Sequence, residues 1–242
     1  MRTRFICGKC AAESAGTQTN VVVELNDALL FDSQCERGHK VLMTLETTKF
    51  SLLFDFGISA LLDGYYREAV SSVATSVERL YEFFIRVVCE KNGCLPEEVE
   101  SMWKIIGNHS ERQLGAFVSL YLQEARVRPA LMAPKTTEFR NRVVHKGYLP
   151  TRLETLDYAR SAHDHMIGIL RFVSDNMQAH SDTVWVAERA SRAPGRTDLQ
   201  TTSHGNANFV SRTRDPLRTE TPFDRKLEIF SRGTREQRWI FN

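Results

Sequence analysis

Residues 64–87 begin Gly64-Tyr65-Tyr66-Arg67-Glu68-Ala69-Val70 and continue through Val73, Val77, Leu80, Tyr81, Phe84 and Val87. From Ala69 onward the apolar positions recur at the three- and four-residue spacing of a single helical face. Gly64 breaks an earlier run in which Leu52, Leu53, Phe56, Ala60 and Leu61 keep the same spacing. Gly93 closes the second helix, and Pro96-Glu97-Glu98 opens the next with proline near N1 and acids in the first turn. Two helices joined at a glycine, with more to follow, set the fold class as mainly α.

Further along, Ser110 and Gln113 form a capping-box pattern ahead of Leu114, Phe117, Val118 and Tyr121, and Pro129 and Pro134 end that helix. A short helical piece from about Thr137 stops at Gly147. Thr151-x-x-Glu154 is a second capping box, starting a helix with Leu153, Leu156, Ala159, His163, Met166, Ile167, Leu170 and Val173 turned inward. Four main helices with short connections predict an antiparallel bundle over residues 50–180.

The N-terminal 1–48 residues read differently. Val21-Val22-Val23-Glu24-Leu25 and Val41-Leu42-Met43-Thr44-Leu45 are strand-like runs bounded by Asn, Asp and Gly. Cys7-Gly8-Lys9-Cys10 is followed about 25 residues later by Cys35-Glu36-Arg37-Gly38-His39. Three thiolates and an imidazole in two pairs are a set that tetrahedral zinc accepts. Gly8 and Gly38 would permit tight turns, and Lys9 and Arg37 would offset thiolate charge. A small β-rich zinc ribbon is expected, its zinc structural because four protein ligands leave no open position. Five cysteines, two of them this closely spaced, fit a metal site better than a disulfide framework. Cys89 and Cys94 read as packing residues.

Residues 183–242 lose apolar periodicity and gain Ser, Thr, Arg and Pro. From Val186 onward there are 11 Arg or Lys against 7 Asp or Glu, a balance of 11 − 7 = +4. This predicts a basic, partly disordered tail, able to serve as an arm for RNA phosphate or a partner, with Trp239-Ile240-Phe241 as an apolar hook. Over the whole chain, 242 residues with a 42% hydrophobic share can bury an ordinary core. A formal charge of +2 does not by itself announce nucleic-acid binding. There is no apolar run near the roughly 20 residues that span a bilayer, and no signal-peptide core, so a cytoplasmic location is expected.

The chemistry-bearing stretch is Arg140-Asn141-Arg142-Val143-Val144-His145-Lys146-Gly147-Tyr148. Asn141 and His145, four apart, share a helical face, while Arg140 lies about 140° round from His145. RNA transesterification needs a group to take the 2′-hydroxyl proton and a cation for the crowded phosphorus. His145 and Arg140 are of the right types. In a purely structural role, Arg140 would instead pair with an acid such as Glu78, and His145 would be a satisfied core residue.

The Gly64-Tyr65-Tyr66-Arg67 hairpin, Glu78-Arg79-Leu80 and Arg140-Asn141-x3-His145-Lys146-Gly147 together resemble the HEPN domain superfamily, whose signature is Arg-x4-His. The resemblance covers about residues 50–180 and implies metal-independent endoribonuclease activity in a homodimer. Members of this kind act as toxins or antiviral defence effectors, with an antitoxin or defence-system partner. Carried over by position, His145 would be general base or acid, Arg140 would hold the scissile phosphate, and Asn141 would orient His145 or the backbone. Arg142 and Lys146 match no family position; their spacing offers phosphate contacts. The superfamily also contains inactive members that bind RNA or proteins without cutting.

Overall fold

The structure is a computed structural model that describes residues 2–13, 19–195, 199–202, 209–212 and 220–232. The described residues are mainly helical, 68% helix, with a small β region of two sheets near the N-terminus. Two compact units are formed. The first comprises Met1–Thr47, Val186–Asn206 and Ile229–Asn242; the second comprises Thr48–Trp185 and Ala207–Glu228.

In the first unit, strand β1 (Arg2–Ile6) pairs antiparallel with β2 (Asn20–Glu24), Phe5 opposite Val21. Strands β3 (Leu30–Gln34) and β4 (Lys40–Leu45) form a second antiparallel pair, with Phe31 opposite Met43. A fifth strand, β5 (Leu199–Thr202), adds to β4 in parallel. Phe5, Val21, Val23 and Phe31 are buried in alternation, as on half-buried strands, whereas β4 is buried on both faces from Val41 to Leu45. The Cys7–Cys10 segment does not form the tight turn expected at Gly8. It opens a short helix, α1 (Gly8–Glu13). Gly38 does carry a left-handed turn, φ +84°, in which its N–H donates to Cys35 O.

In the second unit, Thr48 caps α2 (Lys49–Leu62), its side chain accepting the Ser51 N–H. Gly64, at φ +86°, turns the chain into α3 (Tyr66–Lys91). The two helices approach closely at Gly57. A Cβ there would meet Val73 Cγ2 at 2.5 Å, so glycine is required for sterics, not for its backbone angle. Helix α2 buries a different stripe from the one its spacing suggested: Phe50, Phe54, Asp55, Ile58 and Ser59 are inside together with Leu52 and Leu61, while Leu53, Phe56 and Ala60 are half-buried. There follow α4 (Pro96–Ile106), α5 (Ser110–Ala125), α6 (Pro134–Lys146) and α7 (Arg152–Arg192). Tyr81 and Phe84 of α3 stack with Phe117 and Tyr121 of α5, and Phe172 of α7 joins them.

Several local expectations change. The Ser110–Gln113 box does not form: His109 takes the N-cap, and Gln113 turns inward to give its amide N–H to Gly107 O at 2.6 Å. The Thr151–Glu154 box does form, Glu154 Oε2 accepting the Thr151 N–H at 2.9 Å and Thr151 Oγ1 accepting the Glu154 N–H at 3.3 Å. Leu153 is exposed rather than inward, because it lies in the first turn of α7, ahead of the buried stripe.

Helix α7 also continues well past residue 180, bending at Met177 (φ −144°). The bend follows Asn176, whose side-chain amide donates to Phe172 O at 2.8 Å, the carbonyl that the helical ladder would use. His180 therefore sits within the helix, paired with Glu90, and not at its end.

The segment read as a basic tail is partly built into both units. Residues up to Arg192 are helical, and α8 spans Phe223–Arg232. Phe209, Val210, Phe223 and Lys226 are buried in the second unit. Phe209 N–H donates to Asp55 Oδ1 at 3.1 Å, and Val210 O accepts from Ser51 Oγ at 2.6 Å. Arg189 pairs with Glu46, Arg192 donates to Leu45 O and Thr47 O, and Arg212 pairs with Asp182. These cations are committed to the fold, so they are not a free arm. The rest of the segment, including Trp239-Ile240-Phe241, lies outside the described residues.

Candidate functional site

Helix α6 ends in the motif, and its geometry follows from which side is buried. Val143 is fully buried and Phe139 packs on Tyr158 of α7 at 5.7 Å. His145 lies two residues on from Val143, about 200° round the helix, and is exposed. Gly147 stops the helix at φ +69°, and Tyr148 N–H donates back to Arg142 O at 3.1 Å, closing the helix end.

Arg140 points inward. Its Nη2 is 2.7 Å from Glu78 Oε1 on α3, and its Nη1 donates to Asn141 Oδ1 at 2.9 Å. Asn141 thus engages Arg140, not His145. The pairing with Glu78 is the one expected of a structural arginine, while the exposure of His145 is not that of a core histidine. Among the described residues, His145 and Lys146 make no hydrogen bond or ion pair, and both face outward. Arg142 lies over the Tyr148 ring at 4.5 Å and the Phe139 ring at 6.0 Å. Tyr148 in turn donates its hydroxyl to Glu154 at 2.8 Å, which holds its phenol above the usual range.

Two further contacts fix the loop before α6. Tyr81 and His165 are 2.7 Å apart (Oη to Nε2), and His165 Nδ1 lies 3.0 Å from Ala130 O. A carbonyl only accepts, so Nδ1 carries the proton and Nε2 accepts the Tyr81 hydroxyl. Burial lowers the His165 pKa and raises those of Tyr81 and Tyr158, beside the Arg140–Glu78 pair.

The first unit holds a separate cluster. Cys7, Cys10 and Cys35 are buried, and with His39 their ligand atoms all lie within 4.8 Å of one another. Cys10 Sγ is 3.7 Å from Cys35 Sγ and 3.3 Å from His39 Nδ1; Cys7 Sγ is 3.9 Å from His39 Nδ1. Metal–ligand lengths of about 2.3 Å to sulfur and about 2.05 Å to nitrogen require tetrahedral edges of about 3.8 Å (S–S) and about 3.6 Å (S–N). These three edges match to within a few tenths of an ångström and the remaining three lie within 4.8 Å, so this cluster can hold a metal such as zinc. Burial pushes the Cys35 thiol up, but backbone N–H groups of His39 and Arg37 outweigh it and hold Cys35 below the usual thiol range. Of the two cations read as offsetting thiolate charge, Lys9 donates to Lys40 O and Arg37 turns to Glu13 at 3.6 Å.

Sequence reasoning missed Glu13, whose Oε1 is 3.1 Å from His39 Nε2. Its signal was present: an acid three residues after Cys10 shares its helical face once Cys7-x2-Cys10 is read as a helix start. No protein-family model, curated protein or solved structure matches this chain. No described helix is long and apolar enough to cross a membrane.

Proposed function

We propose that this chain is a metal-independent endoribonuclease of HEPN type, a toxin or antiviral defence effector, carrying a structural zinc in its N-terminal ribbon. The support is the last two turns of α6, which carry an exposed imidazole, His145, and, about 140° round the helix, a guanidinium, Arg140, anchored by Glu78 and Asn141. His145 takes the proton from the 2′-hydroxyl, Arg140 steadies the phosphate, and Lys146 and Arg142 meet the flanking backbone. A two-fold homodimer presents His145 twice, as base to the nucleophile and as acid to the leaving oxygen. Leu149 and Leu153, 77% and 68% exposed and the most exposed large apolar side chains among the described residues, give such a dimer apolar surface next to α6.

One observation favours a second reading. The charge of Arg140 is already engaged by Glu78, which suits an inactive HEPN-like module that binds RNA or a partner without cutting. The two separate on incubating the protein with total RNA in EDTA and assaying 2′,3′-cyclic phosphate ends. Cleavage lost on Arg140→Ala and on His145→Ala, by about 10²–10⁴-fold for the histidine, supports the nuclease. Absence of cleavage by the wild type supports the binding module. Cleavage that survives both substitutions rejects the mechanism.

A further inference from the structure

We infer that Glu13 is the positioning carboxylate of the metal centre, and that His39 coordinates through Nδ1 while giving its Nε2–H to Glu13. This rests on reading the Cys7–Cys10–Cys35–His39 cluster as a metal site. The two faces of the His39 ring are distinct. Nδ1 is turned to the sulfurs, 3.3 Å from Cys10 Sγ and 3.9 Å from Cys7 Sγ. Nε2 is turned away from them, 3.1 Å from Glu13 Oε1.

A neutral imidazole has one N–H and one lone pair. A metal requires the lone pair at the nitrogen it meets, and an ionised carboxylate can only accept. Both neighbours therefore select the same tautomer, with the proton on Nε2. Glu13 cannot itself ligate the metal from this position, because the imidazole ring stands between them.

The local fold supplies Glu13 with little added cost. Helix α1 carries Cys10 and, three residues on, Glu13, so one short helix delivers a thiolate and the carboxylate that orients the histidine. On its other side, Glu13 Oε2 meets Arg37 Nη2 at 3.6 Å. Arg37 lies within the Cys35–His39 turn, whose Cys35 N–H donates to His39 O at 3.1 Å. Arg37, Glu13 and His39 thus close a loop of polar contacts around the ring. Glu36, exposed in the same turn, makes no such contact among the described residues. Outer partners of this kind fix the ring, raise its basicity and typically account for 10–100-fold in metal affinity.

The test uses the full chain, with zinc as the probe in competition with a chromogenic chelator. Glu13→Ala should weaken zinc binding by about 10–100-fold. Glu13→Gln should fall between it and wild type, since the amide oxygen still accepts from Nε2–H. Glu36→Gln should match wild type, separating positioning from loss of general negative charge. Long-range proton–nitrogen spectra should show His39 bound through an unprotonated Nδ1, with a proton on Nε2 that exchanges faster in Glu13→Ala. Coordination through Nε2, or a Glu13→Ala protein equal to wild type in both affinity and exchange, would overturn the inference and leave the metal reading standing. A wild-type chain that takes up no zinc would defeat the metal reading itself, in a measurement that involves no Glu13 variant.

Discussion

Arg140 of α6 and Glu78 of α3, 62 residues apart in sequence, are joined by a 2.7 Å ion pair, with Asn141 on the second arm of the guanidinium. The side chains are 20% and 25% exposed, so water screens the pair only in part. Removing either partner leaves a half-buried charge without its counterion. Glu78→Ala is expected to destabilise the second unit by about 1–3 kcal/mol, read as a lower urea midpoint with an unchanged slope. A midpoint equal to wild type would show that the pair contributes nothing to stability.

His145 should behave in the opposite way. It is exposed and makes no hydrogen bond or ion pair among the described residues. His145→Ala is expected to shift stability by no more than about 0.5 kcal/mol. Any loss of RNA cleavage in this variant then belongs to chemistry and not to unfolding. A marked fall in its melting temperature would instead assign His145 a structural role.

Acid should weaken the second unit through two histidines. Burial first, and for His163 also the nearby Lys226 charge, hold His163 and His165 below the ordinary histidine value. Above about pH 6.5 both are neutral whether folded or unfolded, and their contribution to stability is complete. As pH falls below that value the unfolded chain takes up protons that the folded chain refuses. Stability is then lost until the lower folded-state values are passed. Urea unfolding at a series of pH values should show the midpoint falling in this window. His165→Gln should flatten the fall, and an equally steep fall in that variant would exclude His165 as a source.

Removing the metal should act on one unit. Cys7→Ser, or zinc chelation, is expected to unsettle the β region while most of the helical circular dichroism persists, because the helices of the second unit have their own core. Elemental analysis of the purified wild-type chain should give one zinc per chain. Collapse of the helical signal on chelation would contradict the separation.

Phe209 tests the C-terminal segment. It is fully buried, 5.8 Å from the Phe54 ring and 5.7 Å from Phe223. Phe209→Ala should cost about 3–5 kcal/mol, measured by chemical denaturation. A cost below about 0.5 kcal/mol would mean that this segment is dispensable to the fold.

What could be read in the sequence follows the range of the forces concerned. The stripe from Ala69 to Val87, the Thr151–Glu154 cap, the glycine stops at 64, 93 and 147 and the four-ligand cluster all express local spacing, and all are present. The misses depend on contacts distant in sequence. Asp55 and Ser51 are polar residues of α2 that bond Phe209 and Val210, more than 150 residues away. Lys226 looked like a tail cation but is buried, 3.1 Å from His163 Nε2. Gln113 passed for a cap because its spacing from Ser110 suited one, while the open carbonyl of Gly107 attracted it inward. No window of sequence reveals which carbonyl will need a donor once the helices pack.

The Tyr81–His165–Ala130 chain also offers a built-in clock. Its ring proton on His165 Nδ1 is held against the Ala130 carbonyl, in the stretch that leads from α5 into α6. Such a proton resonates away from the crowded amide region, and it can exchange with solvent only when that contact opens. Its disappearance in heavy water would therefore time the loosening of the segment that feeds the Arg140–His145 helix, with no label attached and no residue replaced.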